Sequence, residues 1–160
     1  MLAEVQSLVT EATTPNPRRG VSGLDAARVN MLVAVTERCA RRRISDRDVF
    51  VATVGGAKLS DPAVDLAVCL ALASASLGTP MAPDVLVIGE VALSGDIRPV
   101  PFLPQRVAEA TRLGYARIVV PRGSAQTLGR GSGVEGPRVT EVHHLEDALG
   151  QLRHLAAVTR

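Results

Sequence analysis

Four side chains within residues 58–65 could take part in chemistry: Lys58, Ser60, Asp61 and Asp65. A lysine can act as the base for a serine, here Ser60 or the more distant Ser94, only within hydrogen-bond reach and with a desolvated amine. Two carboxylates four residues apart at a helix start could hold a metal or a proton, but N-capping and compensation of the helix dipole explain them more simply. The sequence leaves a lysine–serine pair open and favours a structural role for the aspartates.

A glycine turn at residues 55–56 precedes these side chains and leads towards a helix predicted over residues 66–76. Helix N-termini attract anions, so the glycine pair could cradle a phosphate. Its spacing matches neither the P-loop nor the dinucleotide-binding fingerprint, and a tight turn is the simpler interpretation. The helix is apolar on every side, which indicates a buried central position, and Asp61 with Pro62 marks its start.

Strands and helices alternate along the rest of the chain. We predict a strand at 2–10, a capping box at 22–25, a helix from there to about 41, strands at 48–54 and 85–91, a hairpin around 94–96, a helix at 103–113, a strand at 116–120, a loop at 123–136, a strand at 138–142 and a helix at 144–157. Several strands are continuously apolar, which is typical of parallel strands buried on both faces. The 160 residues are therefore predicted to form one domain of the α/β (α+β) class with a partly parallel sheet.

Histidine and cysteine side chains do not form a recognisable metal site. His143 and His144 lie near two glutamates, but adjacent residues on a strand point to opposite faces, and the i, i+4 pair that zinc favours is absent. Cys39 and Cys69 lie in predicted helices, far from any CxxC spacing, and are predicted to be buried free thiols. We expect no metal and no cofactor in this chain.

The hydrophobic segments are shorter than the roughly 18–20 residues that a membrane helix needs. Hydrophobic residues make up 46% of the chain and charged residues 21%, as in ordinary globular domains. The N-terminus lacks the basic start and apolar block of a signal peptide. We therefore expect a cytoplasmic protein with no membrane partner.

Arginine is unevenly distributed, although the formal net charge is only +2. Residues 16–47 and 97–130 each carry a net charge of +5, and the remainder carries −8. Such a chain can present a basic face to phosphates, or it can use arginine as its ordinary surface cation, since it has seventeen arginines and one lysine. Because Phe50, Phe102 and Tyr115 are its few aromatic residues, we expect phosphate contact by arginine and not stacking of single-stranded bases.

The candidate DNA-binding arginines fall into two groups. Those of the first group lie on a loop or bracket a strand end, where no helix dipole accounts for a cation: Arg18, Arg19, Arg117 and Arg122. Those of the second group end a predicted helix, where the dipole already favours cations: Arg41, Arg42 and Arg43. No segment resembles a recognition helix with a polar base-reading face, so any DNA contact is expected to be independent of sequence.

Four segments together resemble one family. They are PRRGVSGLDAARVNMLVAV from residue 17, GGAKLSDPAVDLAVCLALAS from residue 55, GEVALSGDIRPV from residue 89 and LGYARIVVP from residue 113. In order and spacing they resemble the Lon-protease-like C-terminal domain of the bacterial RadA (Sms) DNA repair proteins. The resemblance implies a Lon-protease-like (ribosomal S5 domain 2-like) mixed sheet with packed helices, formed by residues 1–160 as a single domain.

Members of this family usually also carry an N-terminal zinc finger and a RecA-like ATPase. Neither is present in these residues, which contain no Cys₄ spacing and no GxxxxGK[ST] motif. The resemblance implies that this domain belongs to a longer chain, whose other parts would bind ATP, magnesium and zinc.

The resemblance extends to true Lon proteases, which use a serine–lysine dyad. Ala63 stands at the position that matches the serine, and Arg106 stands at the position that matches the lysine. Alanine offers no nucleophile, and arginine stays protonated and cannot act as a neutral base. The domain is therefore expected to have no protease activity, with Arg98 and Arg106 lining a vestigial active-site groove.

The resemblance implies a role in DNA repair and recombination. We expect a homo-oligomeric ring, hexameric by analogy, that contacts single-stranded or branched DNA without sequence preference and organises a DNA-dependent ATPase that works with a RecA-like recombinase. Two alternatives remain. The domain is a pure oligomerisation scaffold without a DNA role, or it is a residual peptidase or peptide-binding domain.

Overall fold

The computed structural model describes residues 2–128 and 136–157. Its strands are β1 (Val5–Glu11), β2 (Arg19–Ser22), β3 (Arg47–Thr53), β4 (Val85–Val87), β5 (Glu90–Val91), β6 (Ile97–Arg98), β7 (Arg117–Pro121) and β8 (Arg138–Val142). Its helices are α1 (Ala26–Ala40), α2 (Asp65–Leu77), α3 (Leu103–Arg112), α4 (Ala125–Leu128), α5 (Leu145–Gly150) and α6 (Leu152–Leu155). None of the helices in these ranges has the length and apolar character needed to span a membrane.

The strands form two three-stranded sheets and a hairpin. The first sheet has the order β1–β3–β2, with β1 antiparallel and β2 parallel to β3. The second sheet has the order β4–β7–β8 and is parallel throughout. Strands β5 and β6 pair as an antiparallel hairpin. The predicted α/β class with partly parallel strands is confirmed, and the strands are divided among separate sheets.

Helix α2 lies at the centre of the larger of two hydrophobic cores. Leu66, Cys69, Leu70 and Leu72 have no exposed surface, as predicted for a helix that is apolar on every side. The parallel sheet separates this core from the smaller one, because Val119 of β7 belongs to the larger core and its neighbours on either side belong to the smaller. Burial on both faces explains why β7 is a continuous apolar run.

A buried carboxylate joins the start of α2 to two other elements. Asp65 has no exposed surface. Its carboxylate accepts hydrogen bonds from the Arg28 guanidinium, with Nε to Oδ1 at 2.7 Å, and from the Val91 backbone N–H at 3.1 Å. Arg28 lies in α1 and Val91 in β5, so one side chain fixes the helix start against both. Hydrogen bonding to Asp65 raises the pKa of Arg28 above its ordinary value.

Two predicted boundaries differ from the structure near this centre. The predicted capping box at residues 22–25 is wrong, because Asp25 is itself the N-cap of α1 and accepts a hydrogen bond from the Arg28 N–H. The predicted strand at residues 85–91 is interrupted at Gly89. Its N–H donates to the Ala63 carbonyl and its carbonyl accepts from the Leu66 N–H, both at 3.0 Å, so Gly89 bonds to the start of α2.

Two further differences lie towards the C-terminus. The predicted helix at residues 144–157 is divided into α5 and α6, with Gln151 between them. Within the predicted loop at 123–136, the short helix α4 occupies Ala125–Leu128, and residues 129–135 lie outside the described ranges. Both cysteines are free and buried, as predicted, and burial raises the pKa of the Cys69 thiol to about 12.

Replacing Arg28 by alanine should destabilise the fold more than replacing an exposed arginine. The R28A variant leaves the Asp65 carboxylate buried with only a backbone partner. We expect a loss of about 2 kcal/mol, less than for a fully buried pair because Arg28 is 36% exposed. The control is R112A, which removes an exposed i, i+3 pair with Glu109 and should cost less than about 0.5 kcal/mol. Urea denaturation measures both, and equal losses would contradict the role assigned to Asp65.

Candidate functional site

Ala63 and Arg106, the two positions that the resemblance matches to a protease dyad, come together at the start of the central helix. Asp61 bonds to both: Oδ1 accepts the Ala63 backbone N–H at 2.9 Å, and Oδ2 accepts from Nη2 of Arg106, which lies 45 residues later in the sequence. Nε of Arg106 also donates to the Pro101 carbonyl at 3.0 Å. The positions matched to the serine and lysine of Lon proteases are therefore neighbours, and they hold a methyl group and an ion-paired guanidinium.

Asp61 is negatively charged and caps the single 3-10 turn Pro62–Val64, which leads directly into α2. The Ala63 N–H bond and then the ion pair with Arg106 lower the pKa of the Asp61 carboxyl, against the opposing effect of its partial burial. Gly55 and Gly56 adopt left-handed φ angles of 73° and 71° in an exposed turn, as the tight-turn interpretation requires. Residues 57–60 separate that turn from the helix start, and a phosphate at this helix would meet a carboxylate.

A groove of about 470 Å³ opens beside this ion pair. Asp61, Ala63 and Arg106 line one part of it, and apolar residues from the N-terminal segment and β4 line another. Arg98 was predicted to share the groove with Arg106, but it lies exposed on β6 and is not among the lining residues. The groove contains no side chain that could act as a nucleophile at the Ala63 position.

The alternative lysine–serine pair does not form. Lys58 and Ser60 are both exposed, and no hydrogen bond among the described residues joins Lys58 to a serine. Ser94 instead donates to the Asp96 carboxylate at 2.6 Å in the turn between β5 and β6. An exposed lysine without a serine partner lacks both the reach and the desolvation that a catalytic base needs.

The histidines near the C-terminus have a structural role. His144 is the N-cap of α5, and its Nδ1 accepts the Glu146 N–H at 3.2 Å. The Asp147 carboxylate accepts the His144 N–H in return at 3.0 Å, which completes a capping box. Within the described ranges, no three histidine, cysteine, aspartate or glutamate side chains are grouped in a way that could hold a metal.

The fold brings together two arginine groups that were predicted separately. The Arg19 guanidinium donates to the Ser45 carbonyl at 2.7 Å and to the Arg47 carbonyl. The loop of Arg18 and Arg19 therefore lies against the segment that follows α1. We call this set the arginine cluster: Arg18, Arg19, Arg41, Arg42, Arg43 and Arg47. Sequence analysis did not select Arg47, although it closes the basic run that begins at Arg41.

The cluster keeps a positive charge after its own acidic neighbours are counted. The surrounding segments contribute four carboxylates, so the six arginines leave a formal net charge of +2. The four carboxylates are those of Glu11, Glu37, Asp46 and Asp48. The Glu37 carboxylate is already engaged, since it accepts the Ile44 and Ser45 N–H groups at 2.6 Å each, and these two bonds lower its pKa. A polyanion approaching this surface meets more cations than anions.

Arg18 and Arg19 make hydrogen bonds that stabilise the fold and also contribute positive charge to the surface. The Asp48 carboxylate has no exposed surface and accepts the Arg18 backbone N–H at 2.7 Å and its Nε at 2.8 Å. These bonds, the backbone one first, lower the pKa of Asp48. The Arg18 side chain is nevertheless 61% exposed, so part of its guanidinium faces solvent. Its replacement would disturb Asp48 as well as remove a surface charge.

Arg41, Arg42 and Arg43 are more available than the sequence suggested. All three are exposed. Arg41 ends α1 in the left-handed conformation, with φ of 51°, and its guanidinium has no ion pair within the described ranges. Arg43 lies 3.5 Å from Asp46, and both side chains are more than half exposed, so this pair contributes little. These arginines, ranked second from sequence, offer the freer cations.

Arg117 and Arg122 lie apart from the arginine cluster, at opposite ends of β7 in the other sheet. The Arg117 guanidinium binds the Asp84 carboxylate and donates to the His154 carbonyl at 2.9 Å. The hydrogen bonds between Arg117 and Asp84 raise the pKa of Arg117 and lower that of Asp84. Arg122 follows the strand and is exposed. Arg117 is thus held in a structural ion pair, whereas Arg122 remains a candidate for phosphate contact.

Comparisons with known proteins show the family of this chain. Residues 34–124, more than half of the chain, match the family model described as subunit ChlI of Mg-chelatase. The chain belongs to this family. Nearly the whole chain also aligns with proteins named DNA repair protein RadA, which confirms the predicted resemblance to RadA.

The RadA relatives are considerably longer than this chain. The sequence is 41% identical to RadA of Haemophilus influenzae over 97% of this chain and 33% of that protein. It is 41% identical to RadA of Mycolicibacterium smegmatis over 98% of this chain and 32% of that protein. It is 39% identical to RadA of Escherichia coli over 93% of this chain and 32% of that protein. The chain thus spans about a third of the length of these curated relatives.

Replacing Asp61 by alanine should remove both the helix cap and the Arg106 ion pair. We expect D61A to lose about 1 kcal/mol of unfolding free energy at pH 7, because losing the cap costs that much and the half-exposed ion pair adds little. D61N should keep most of the cap, since asparagine caps helices well. Urea denaturation of the wild type, D61A and D61N measures these differences.

The pH dependence separates the charge of Asp61 from its capping role. Its folded pKa is lowered, so its ionic contribution is present above the unfolded value of about 4 and is lost as pH falls through the folded value. The stability advantage of the wild type over D61N should therefore shrink between pH 5 and pH 2.5. A wild-type advantage that stays constant over this range would argue against an ionic contribution from Asp61.

Proposed function

We propose that this chain is a non-catalytic, Lon-protease-like domain of a RadA-type DNA repair and recombination protein, serving ring assembly and sequence-independent DNA contact. The observation that carries the proposal is the arginine cluster. Five of the seven arginines selected from sequence lie in it, and Arg47 joins them. Cations presented on loops suit the phosphate backbone, and contacts of this kind carry no sequence information.

Assembly into a ring would strengthen the DNA binding that each single copy provides only weakly. A single chain of net charge +2 can neutralise few phosphates and should bind DNA weakly. In a homo-oligomeric ring, which we propose to be hexameric, each copy would present the same arginine cluster to one DNA molecule. Binding at one copy then raises the effective concentration of the next, so the weak contacts reinforce one another. Single-stranded or branched DNA is the proposed partner.

The site at Asp61 supports a domain without protease activity, a pseudo-protease. Ala63 supplies no nucleophile, and Arg106 remains protonated and bound to Asp61. At the helix start, where a Lon protease would hold its nucleophile, Asp61 instead accepts the Ala63 N–H and binds the Arg106 guanidinium. The residues that line the groove beside it include no group that could attack a peptide bond at position 63.

The remaining functions belong to a longer protein. Because the RadA relatives are about three times as long as this chain, we propose that DNA-dependent ATP hydrolysis, binding of magnesium and zinc, and contact with a RecA-like recombinase lie in other domains of such a protein. The cytoplasm is the proposed location, since RadA proteins are named for DNA repair.

Removing the freer arginines should weaken DNA binding without unfolding the domain. The test variant replaces Arg41, Arg42 and Arg43 by alanine, and the control replaces three exposed arginines outside the cluster, Arg112, Arg138 and Arg153. Both variants lose three positive charges. Binding of a forked DNA is measured over a salt series, with oligomeric mass measured in parallel. Each lost phosphate contact should reduce the log–log salt slope by about 0.7–0.9, so the test variant should show a clearly shallower slope than the control.

The same experiment decides between DNA contact and a pure scaffold. Equal binding by the test and control variants would refute the role of the arginine cluster. A ring that binds no DNA even at low salt would leave the domain as an oligomerisation scaffold. We avoid R18A as the test variant because it would disturb the buried Asp48.

The domain should not react with a serine-directed fluorophosphonate probe. Neither the wild type nor A63S should be labelled, because Arg106 cannot deprotonate a serine at position 63. An active serine peptidase is the positive control. Labelling of the wild type that disappears in S60A or S94A would show a working serine and would revive the peptidase alternative.

A further inference from the structure

Strand β1 is an edge strand whose outer side has no partner among the described residues. Strand β3 occupies its other side. The Val54 N–H donates to the Glu4 carbonyl at 3.0 Å, in register with the ladder between β1 and β3. Since hydrogen bonding alternates along an antiparallel pair, Val5, Ser7 and Val9 direct their backbone N–H and C=O groups away from β3.

A second strand edge lies across a groove from the first. Strand β4 is an edge of the parallel sheet, and directly after it the Ile88 N–H donates to the Val119 carbonyl of β7 at 2.9 Å. By the same alternation, Val87 directs its backbone groups to the open side. The groove has a volume of about 780 Å³, and residues 3–7 and 85–87 lie along its two sides. We call it the edge groove.

The floor of the edge groove consists of small side chains from α2. Ala67, Ala71 and Ala75 recur every four residues, so they share one face of the helix, and all three are only partly buried. Their small size leaves a channel above the helix. An extended chain in this channel would pack alternate side chains on the alanines and would bond to the free edge of β1.

The free edge of β1 lacks the features that usually prevent strand pairing. Proteins blunt an open edge with lysine, proline, a bulge or a covering element. The strand sequence VQSLVTE contains no proline and no positive charge, and its one charged residue, Glu11, does not line the edge groove. The pairing with β3 runs through all seven residues without a bulge. Such an edge readily accepts a further strand.

A longer protein of the RadA type has a segment in position to supply that strand. The RadA relatives are about three times as long as this chain. Ala3 borders the edge groove, so a segment that directly precedes residue 1 would start beside the groove. A turn of about two to five residues would reverse that segment and lay it antiparallel along β1. Strands that are adjacent in sequence commonly pair in this way.

We propose that the edge groove takes one β-strand, supplied by the segment that directly precedes residue 1 in a longer RadA-type protein, and that this strand pairs antiparallel with β1. The inference rests on the proposed function, because it assigns part of the longer protein to this domain. Residues 3–7 span about 17 Å, so a strand of about five residues covers them. Every second residue of the strand faces the alanines of α2 and is expected to be apolar.

The decisive test adds such a segment to the chain. About fifteen residues, enough for a strand and a hairpin turn, are taken from directly before the matched region of Haemophilus influenzae RadA. They are fused to the N-terminus of this 160-residue chain. The control fusion carries the same residues in scrambled order. Amide hydrogen exchange, followed by NMR, compares both fusions with the unfused chain.

The exchange rates of β1 carry the result. In the fusion with the native order, the Val5, Ser7 and Val9 N–H groups gain partners and should exchange roughly a hundredfold more slowly. The Gln6 and Leu8 N–H groups already face β3 and should change much less. The scrambled fusion should leave all of these amides at the rates of the unfused chain.

A variant that fills the edge groove tests where the strand lies. A71L places a larger side chain on the floor of the groove and should abolish the protection in the native fusion. A27L is the matched control, because Ala27 is exposed on α1 and does not line the edge groove. If a fusion folds poorly, the same segment is added to the unfused chain as a free peptide, which should protect the same amides. Melting temperatures and oligomeric mass are measured for every protein.

The possible failures are distinguishable. If the native order protects β1 no more than the scrambled order, or if A71L keeps the protection, the inference is overturned and the proposed function stands. If A71L changes the oligomeric mass of the unfused chain, the edge groove is a contact between copies and the inference fails. The proposed function fails by a different measurement, the absence of DNA binding at low salt, which does not depend on these exchange rates.

Discussion

The burial of the Asp65 carboxylate is the constraint on which the rest of this domain depends. A carboxylate without exposed surface must be neutralised and hydrogen-bonded, and here Arg28 and the Val91 N–H do both. These contacts tie the start of the central helix to α1 and to the β5–β6 hairpin. Gly89 adds two backbone bonds to the same helix start. The position of Asp61, Ala63 and the groove beside them follows from this anchoring.

The helix start that is anchored in this way carries a second ionic contact. Asp61 accepts the Ala63 N–H and binds the Arg106 guanidinium, so a cap and an ion pair occupy the two positions that the resemblance compares with a protease dyad. Both contacts stabilise the local structure. The arginine cluster lies on a different part of the surface, where the loop of Arg18 and Arg19 meets the segment after α1.

The arginines of that cluster divide into two roles according to their partners. Arg18 and Arg19 bind a buried carboxylate and backbone carbonyls, so they hold the loop of residues 15–19 against the segment after α1. Arg41 and Arg42 end a helix and point to solvent. The anchored arginines thus bring their loop next to the segment that carries the freer ones.

The sequence by itself determined the fold class, the central position of α2, the capping role of Asp61, the absence of a nucleophile at position 63 and the resemblance to RadA. These features depend on local patterns, such as apolar periodicity, cap residues and motif order, which residues close in sequence establish together. The tertiary structure alone decided which arginines are free and that Asp61 joins Arg106. These features depend on partners 30 and 45 residues apart. A list of residues does not contain that information, because an arginine looks the same in the sequence whether it binds a buried aspartate or faces solvent.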